Sequence, residues 1–317
     1  MKKMKLLAIL SIPFLLVSCN TSSKGSSKKS EVSAKEFVEK LASHISENEY
    51  FKGEGFKDSK EFNVELGGVE KTTLTTSEKT IQYEDTNYDI KVNFGLDVKN
   101  EVLRGQLDEV IVEGSKESKL NEIMYLQNDK TDGFVYVDTI NKKYNKMSQA
   151  SSFEEFIAYL NNTINSVDIN SYIKKIVEDV KILEQFEKKS SLSISGSVYT
   201  AKLDKAEISI DDITDILKKI SEYADIPYSG SVCLDGKVSL NTANGKESLK
   251  ADLKITTDLT ATKEMSASFG VSSEIEGAVK LQPGDKIKQT ITMNGEASIK
   301  KLSKEIKPID LTEYTKV

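Results

Sequence analysis

The chain has 317 residues, of which 38% are hydrophobic and 30% charged, and its formal net charge is −6. Arg104 is the only arginine among 44 basic residues. Nucleic-acid binders carry basic patches and depend on the bidentate arginine fork, so this composition argues against nucleic acid as a partner.

The first nineteen residues have the organisation of a secretory signal. A basic start, Met1–Lys5, precedes a short apolar run over residues 6–17 and a small residue before Cys19. That order of regions is typical of a signal peptide, and the run is too short for a membrane span, which needs about 20 apolar residues. The sequence Leu16-Val17-Ser18-Cys19 resembles the lipobox of bacterial lipoproteins.

The lipobox resemblance implies a location and leaves the function open. In that family the cysteine receives a diacylglycerol, and cleavage makes it the new N-terminus. For this chain it implies that residues 1–18 are removed and that Cys19 holds the protein on the extracytoplasmic face of a cell membrane. An ordinary signal peptide with a chance cysteine is the alternative. Without its three signal lysines the chain has a net charge of about −9, and the only other cysteine, Cys233, has no disulfide partner.

A flexible tether and a helix are predicted next. Residues 19–33 are rich in Ser, Lys and Gly and have nothing to bury, which is typical of a tether. Ser33 and Glu36 form a capping-box pattern, and apolar residues then recur at helical spacing from Phe37 to Ile45. The folded part is therefore predicted to cover residues 34–317.

The first half of this folded part is predicted to be mostly strands. Residues 62–66 alternate and are followed by Gly67-Gly68, which predicts the end of that strand. Residues 88–98 carry apolar side chains at alternate positions, the clearest strand pattern in the chain. Shorter strands are predicted at residues 110–112, 123–126 and 134–137, with a turn between the last two.

Helical patterns interrupt the strands in the middle of the chain. A second capping box, Ser152 and Glu155, opens one helix. Apolar residues at helical spacing predict two more helices at residues 172–183 and 211–224, with a strand between them at residues 192–198. Four long alternating runs then occupy residues 232–240, 249–261, 265–281 and 287–299.

Together these elements predict an α+β protein with a long, mostly antiparallel, half-barrel-like curved sheet, an N-terminal helix and inserted helices. One domain over residues 34–317 and two lobes split near Ser148 both fit the pattern. The long strands exceed the helices in length, which leaves an apolar sheet face to cover. The sheet can curl on itself, two sheets can face each other, or an apolar ligand can fill the gap.

This order of elements resembles the LolA/LppX class of lipoprotein carriers, over residues 33–317 and without a signature motif. The resemblance implies a half-barrel of strands wrapped around helices, with an apolar cavity that holds lipid or lipoprotein acyl chains. None of that class's functional residues can be placed on this chain.

Residues that carry catalysis are sparse. His44 is the only histidine, and its place beside the apolar stripe of the first helix is typical of a structural position. Ser-x-x-Lys occurs at Ser171-Lys174 and at Ser298-Lys301, without the companion motifs of penicillin-binding enzymes. The sequence therefore predicts a non-enzymatic protein with no catalytic residues and no cofactor.

No metal site is predicted either, and the residues that would bind a ligand are left open. The acidic residues 211, 212 and 215 fit a helix cap better than a calcium site. The turn at residues 129–133 fails as a calcium loop, because Lys130 and Thr139 occupy ligand positions. Cys233 is predicted to face the polar side of its strand as a small filler. Cross-strand packing explains a group of tyrosines more simply than sugar or peptide binding does; its members are Tyr83, Tyr88, Tyr125, Tyr136 and Tyr144.

Three functional hypotheses remain. The first is a carrier or binding protein for a lipid or other apolar ligand, with a cavity of several hundred cubic ångströms lined by the final strands. The alternative is a cell-surface interaction or adhesion module that covers its own apolar face and binds no small molecule. A solute receptor for an ABC transporter is disfavoured, because such receptors alternate helices with parallel strands. The pattern leaves the oligomeric state open.

Overall fold

The computed structural model describes residues 30–47, 55–148, 150–165, 187–214, 226–243, 245–267 and 279–317. The predicted signal, Cys19 and most of the tether lie outside the described residues, as does the helix predicted over residues 172–183. Of the helix predicted over residues 211–224, only a first turn from Ile210 to Thr214 is described.

Most of the described chain is β-strand. Two longer helices and one short 3-10 turn accompany the strands. The elements, in chain order, are β1 Ser30–Glu31, α1 Ala34–Glu47, β2 Lys60–Thr75, β3 Thr80–Gln82, β4 Thr86–Asp97, β5 Val102–Glu113, β6 Lys116–Asp129, β7 Gly133–Asp138, β8 Lys143–Lys146, α2 Phe153–Asn165, β9 Ser190–Ser195, β10 Val198–Ser209, β11 Tyr228–Asn241, β12 Ser248–Ala261, β13 Met265–Ala267, β14 Val279–Leu281, β15 Lys286–Lys301, the 3-10 turn Leu311–Glu313 and β16 Thr315–Lys316.

Fourteen of these strands form one sheet, in the order β1-β9-β10-β11-β12-β15-β2-β4-β5-β6-β7-β8-β16, with β3 beside β2. Strands β2 and β4 to β8 form one meander, which we call the N-terminal meander. Strands β9 to β12 together with β15 form the C-terminal meander. The two join where β2 pairs with β15, from Lys60 opposite Lys301 to Thr75 opposite Lys286. Strands on both sides of Ser148 therefore belong to one sheet.

The sheet is curved, mostly antiparallel and open, which confirms the predicted fold class. Short strands cover its two edges: β1 pairs with β9, and β16 pairs in parallel with β8. Unpaired edge backbone is a template for aggregation, so these pairings protect the sheet. The first described strand thus lies at the edge of the C-terminal meander, and the last lies at the edge of the N-terminal meander.

Several predicted strand boundaries are wrong: the strand predicted at residues 192–198 spans the turn between β9 and β10, the strand predicted at residues 110–112 is only the end of β5, and two further cases have a clear physical cause. Gly67-Gly68 does not end the first long strand, because β2 continues through both glycines to Thr75. The ring of Tyr88 lies across Gly68, and a Cβ at Gly68 would lie only 2.6 Å from the Thr292 carbonyl oxygen. The glycine is therefore a site of close approach inside a strand, not a turn.

The second of these two cases lies in the alternating run at residues 265–281. Its two ends form β13 and β14, which pair with each other as a separate two-stranded ladder with Met265 opposite Leu281. The alternation indicated strand correctly at both ends, but the chain reverses between them. The antiparallel pairing of the two ends rules out one continuous strand, and a period-2 pattern alone does not show this.

Both helices pack on the same face of the sheet, which we call the apolar face. Their predicted caps are confirmed: Ser33 Oγ accepts the Glu36 N–H at 3.1 Å, and Ser152 Oγ accepts the Glu155 N–H at 3.2 Å. α1 packs on the C-terminal meander and α2 on the N-terminal meander. The α1 cluster contains Ala34, Phe37, Leu41, Leu192, Tyr199, Ala201 and Leu240. The α2 cluster contains Leu96, Leu126, Phe134, Ala150, Phe153 and Phe156.

Candidate functional site

The structure assigns ordinary packing roles to most of the residues considered for sites. His44 is half-buried, and its Nδ1 lies 2.8 Å from the Tyr199 hydroxyl oxygen, with the two rings edge to face. Ser298 is buried on β15, but Lys301 is three residues further along the strand and therefore points to the opposite face. The other Ser-x-x-Lys pair lies outside the described residues. Ser298 and Lys301 therefore do not form a contact between a nucleophile and a base.

The acidic candidates act in turns and caps. Asp212 accepts a hydrogen bond from the Ser209 hydroxyl at 2.7 Å, and its own N–H donates to that hydroxyl at 3.0 Å. Asp129 accepts the backbone N–H groups of Thr131 and Asp132, both at 2.8 Å, which closes the predicted turn. Within the described ranges, no group of three His, Cys, Asp or Glu side chains is placed to hold a metal ion.

The cysteine and the tyrosines occupy separate places. Cys233 alternates with the buried residues Val232 and Leu234, so it lies on the polar side of β11 as predicted. The tyrosines do not form a single cluster, because strand alternation divides them between the two faces. Tyr88 lies on the apolar face, whereas Tyr125 lies on the polar face, in register with Arg104. Burial, with a smaller effect from Glu70, raises the pKa of Tyr88 to about 12.

One candidate site is a row of aliphatic side chains on the apolar face, between the two helices. Leu249, Ala297, Val64, Val92 and Leu107 lie opposite one another on five successive strands, from β12 to β5. Val64, in the middle, is 40% exposed, and the other four are half-buried. We call this row the apolar band. At one end of the band Leu249 packs against the α1 cluster. Sequence alternation predicted the apolar face but not which of its residues contact α1 and α2.

A second candidate site lies on the polar face, beneath the end of the chain. Residues 302–317, which we call the C-terminal strap, cross the N-terminal meander from β15 to β8. Gln127 holds the strap by two hydrogen bonds, accepting the Ile309 N–H and donating to the Ile309 carbonyl oxygen, both at 2.8 Å. Its side-chain amide therefore satisfies the strap backbone as a neighbouring strand would.

Asp97 is the second anchor of the strap. Its carboxylate is buried and accepts the backbone N–H of Ile306 at 2.9 Å and that of Asn100 at 3.1 Å. Burial alone would raise the pKa of Asp97, but these hydrogen bonds outweigh it and hold the pKa below its usual value. A further contact joins Lys316 of the strap to Asp132, and it is the main cause that lowers the pKa of Asp132.

Between the strap and the sheet lies an open groove of about 450 Å³. Its floor consists of polar-face residues from β2, β4, β5 and β6, among them Arg104, and its wall is the strap from Leu302 to Lys307. The guanidinium Nη2 of Arg104 donates to Gln106 Oε1 at 2.7 Å, and Gln106 Nε2 donates to Asp108 Oδ2 at 2.8 Å. The sequence offered one usable signal for this groove, since Arg104 is the sole arginine in a lysine-rich chain.

Comparison with known proteins adds little. No protein-family model matches the sequence, and no curated protein matches it. Among solved structures, the outer membrane protease OmpT from Escherichia coli aligns with 76% of this chain and 96% of its own at 6% identity, with a TM-score of 0.13. The outer membrane protein OprG from Pseudomonas aeruginosa aligns with 75% of this chain and 95% of its own at 7% identity, with a TM-score of 0.10. Likenesses this low carry no argument about fold or function.

The helices that the structure describes were also compared with the requirements of a membrane span. None of them combines the length and the apolar character that crossing a bilayer demands.

Proposed function

We propose that the protein is a lipoprotein, anchored through Cys19 on the extracytoplasmic face of a cell membrane, that binds or carries a lipid or another apolar ligand and catalyses no reaction. The observation that carries the proposal is the apolar band. Lipobox-like residues 16–19 support the anchor, and the sparse catalytic chemistry of the chain supports a binding role.

The band is an energetic reason to bind something apolar. A Val or Leu side chain that stays wet forgoes about 1.5–3 kcal/mol relative to full burial. Val64 is 40% exposed at the centre of the band, in register with half-buried aliphatic neighbours on both sides. A ligand that covers several of these side chains at once therefore gains binding free energy from each of them.

The shape of the band favours an elongated ligand. It crosses five neighbouring strands, which are about 4.8 Å apart, so its length is about 19 Å. The two helices lie toward its ends: α1 packs against Leu240 next to β12, and α2 packs against Leu96 on β4. A chain-like apolar molecule laid across the strands fits this arrangement better than a compact one.

The ligand is tested by native mass spectrometry with lipid extraction, on a form of the chain that begins near Ser33, lacks Cys19 and is purified from its own host without detergent. We expect a discrete co-purifying mass that extracts as lipid. The double variant V64T/V92T makes the band polar while keeping β-branched side chains, and we expect it to lose most of that mass. V69T is the matched control, since Val69 lies on the same strand as Val64 but on the polar face.

A clean apo mass for the native chain, together with no uptake of a fluorescent fatty acid, would overturn the carrier proposal. The cell-surface interaction module would then become the leading hypothesis. Equal lipid occupancy in V64T/V92T and in the native chain would show that the ligand lies elsewhere.

The anchor has its own test. Cells grown with an alkyne-labelled fatty acid should label the native chain, and the label should be absent from C19A and unchanged in C233A. Label that persists in C19A would remove the anchor from the proposal and leave the apolar-ligand test unaffected.

A further inference from the structure

The groove beneath the strap lies on the opposite face of the sheet from the apolar band, so what it binds does not depend on the proposed apolar ligand. We propose that this groove binds a small organic anion carrying a phosphate or two carboxylates, with Arg104 as its anchor. The argument uses three features: the charge balance of the groove, the positioning of Arg104 and the volume.

The acidic side chains of the groove are already occupied. Glu61 accepts from Asn63 Nδ2 at 3.1 Å and from Ser303 Oγ at 2.9 Å, so each of its oxygens has a donor. Glu305 accepts from Asn100 Nδ2 at 3.0 Å and from Lys99 Nζ at 3.4 Å. Both carboxylates therefore have donors other than Arg104, Lys304 and Lys307, although Asn63 and Ser303 are neutral and leave the charge of Glu61 in the groove.

The cations of the groove, in contrast, lack an acidic partner. Arg104, Lys304 and Lys307 all line it. Among the residues that the structure describes, none of these three forms a salt bridge. With three cations against the two carboxylates Glu61 and Glu305, the lining carries a net positive charge, which favours an anion over a neutral or cationic molecule.

Arg104 is held in position for recognition. Its Nη2 is fixed by Gln106, and Gln106 is fixed by Asp108, which in turn accepts a hydrogen bond from Asn121. This chain of contacts leaves other N–H groups of the guanidinium fork for a ligand, and the fork matches a carboxylate or a phosphate in a bidentate geometry. Tyr125 lies beside Arg104 on the next strand and adds a hydroxyl to the floor.

The size of the groove limits the ligand. Its volume of about 450 Å³ falls within the usual range for small-molecule sites. The aliphatic side chains of Leu302 and Ile306 pack over Gly95 in the floor and give the groove an apolar part next to the charged groups, which suits a short carbon skeleton.

The test is isothermal titration calorimetry of the full chain with inorganic phosphate, glycerol 3-phosphate and succinate, which separates phosphate from dicarboxylate recognition. We expect saturable binding of at least one of them. R104K keeps the charge but loses the fork, so we expect binding roughly tenfold weaker. K307A leaves the sheet intact and should also weaken binding. K254A, which removes an exposed lysine from the polar face of β12, is the matched control and should bind as the native chain does.

Two outcomes would overturn the proposal. One is the absence of saturable binding for all three anions up to about 10 mM, the range in which even weak sites are detected. The other is binding that R104K and K307A leave unchanged, because the anion would then lie outside the groove. Thermal unfolding of each variant shows whether a loss of binding reflects a loss of fold. If R104K is unstable, the binding measured for K307A tests whether the anion lies in the groove.

Discussion

The polar face of the sheet differs between its two halves, although both follow the same alternating pattern. On the C-terminal meander the polar face stays wet: Lys250, Asp252 and Lys254 of β12 are exposed. On the N-terminal meander the strap covers one end of the equivalent face, where Val102, Val135 and Val137 are fully buried, whereas Asp89 and Lys91 of β4 stay exposed.

The difference shows what a covering segment without regular structure requires. The strap brings backbone N–H and C=O groups against the sheet, and buried backbone groups need partners. Asp97 and Gln127 supply those partners on the covered half. On the wet half, polar side chains face water or pair with each other, as Lys250 does with Glu296 at 2.9 Å. The same alternating pattern is therefore compatible with a covered and with a wet polar face. The hydrogen bonds of Asp97 and Gln127 to the strap backbone distinguish the covered one.

Truncation after Lys301 should have the largest effect. It removes the strap, including β16, which exposes three buried valines and one sheet edge, and each valine contributes about 1.5–3 kcal/mol by burial. We expect a loss of about 5 kcal/mol or more in the free energy of unfolding, measured by urea denaturation. Amide exchange should accelerate in β5 to β7 and stay unchanged in β10 to β12. Equal acceleration of amide exchange in both meanders would show that the strap does not stabilise the N-terminal meander selectively.

The junction between the two halves can be weakened by one methyl group. G68A places a Cβ 2.6 Å from the Thr292 carbonyl oxygen, a backbone atom that must move, so we expect a loss of about 1–3 kcal/mol. G67A is the matched control, because the only tight contact of its Cβ is with the Asn294 side chain, at 2.9 Å, and the nearest backbone atom, the Tyr88 carbonyl oxygen, lies 3.8 Å away. Urea denaturation of both variants measures the difference. Equal stability of the two would show that the junction is less tightly packed than the structure indicates.

Removing the charge of Asp97 should weaken the covered half alone. D97N keeps the shape but makes a poorer acceptor for the N–H groups of Ile306 and Asn100, and we expect a loss of about 1–3 kcal/mol. D252N, on the exposed face of β12, should change stability by less than about 0.5 kcal/mol. Similar losses in both variants would remove the special role of Asp97.

Acid should release the strap. The pKa of Asp97 is lowered in the folded protein, so its contribution to stability is present above its unfolded pKa and is lost as the pH falls through the folded value. Asp132 and Glu305 are also lowered, chiefly by Lys316 and Asn100 respectively, and act in the same direction. We expect the native chain to lose stability between about pH 5 and pH 2, and D97N to lose less. Denaturant midpoints across that range provide the measurement, and identical pH profiles would argue against the assignment.

The smallest effect is a gain on the apolar face of the C-terminal meander. The Thr257 hydroxyl is buried and has no hydrogen-bond partner in the described structure. T257V replaces it with an apolar group of the same shape, and we expect about 1 kcal/mol of added stability in urea denaturation. A loss of stability would indicate that the hydroxyl has a partner, such as a buried water.

The sequence predicted those parts of the fold that depend on near neighbours. Alternation identified the cores of β4, β11, β12 and β15, and Ser33 and Ser152 marked the starts of both helices, because period and capping are local properties. The strap escaped prediction because its partners are remote: Gln127 and Ile309 are 182 residues apart. The pairing of β2 with β15 is equally non-local, and neither strand carries a pattern that names the other.

The candidate sites follow the same rule. The apolar band was predicted only as an uncovered face, since the positions of α1 and α2 on that face decide which residues stay exposed. The groove needs Arg104 from β5, Glu61 from β2 and Lys307 from the strap, and only the fold brings these residues together. A single arginine among many lysines indicates a position where the guanidinium group matters, but it does not identify the residues that surround it in the fold.

The pairing of β2 with β15 constrains the order in which the sheet can form during synthesis. β2 cannot gain its β15 neighbour until residue 286 and those after it have emerged, so a nascent chain carries a long open strand for most of its translation. Contacts this distant in sequence slow folding, and exposed strand edges invite aggregation in the meantime. The finished sheet therefore forms only after the last strands are made, and until then β2 has an unpaired edge.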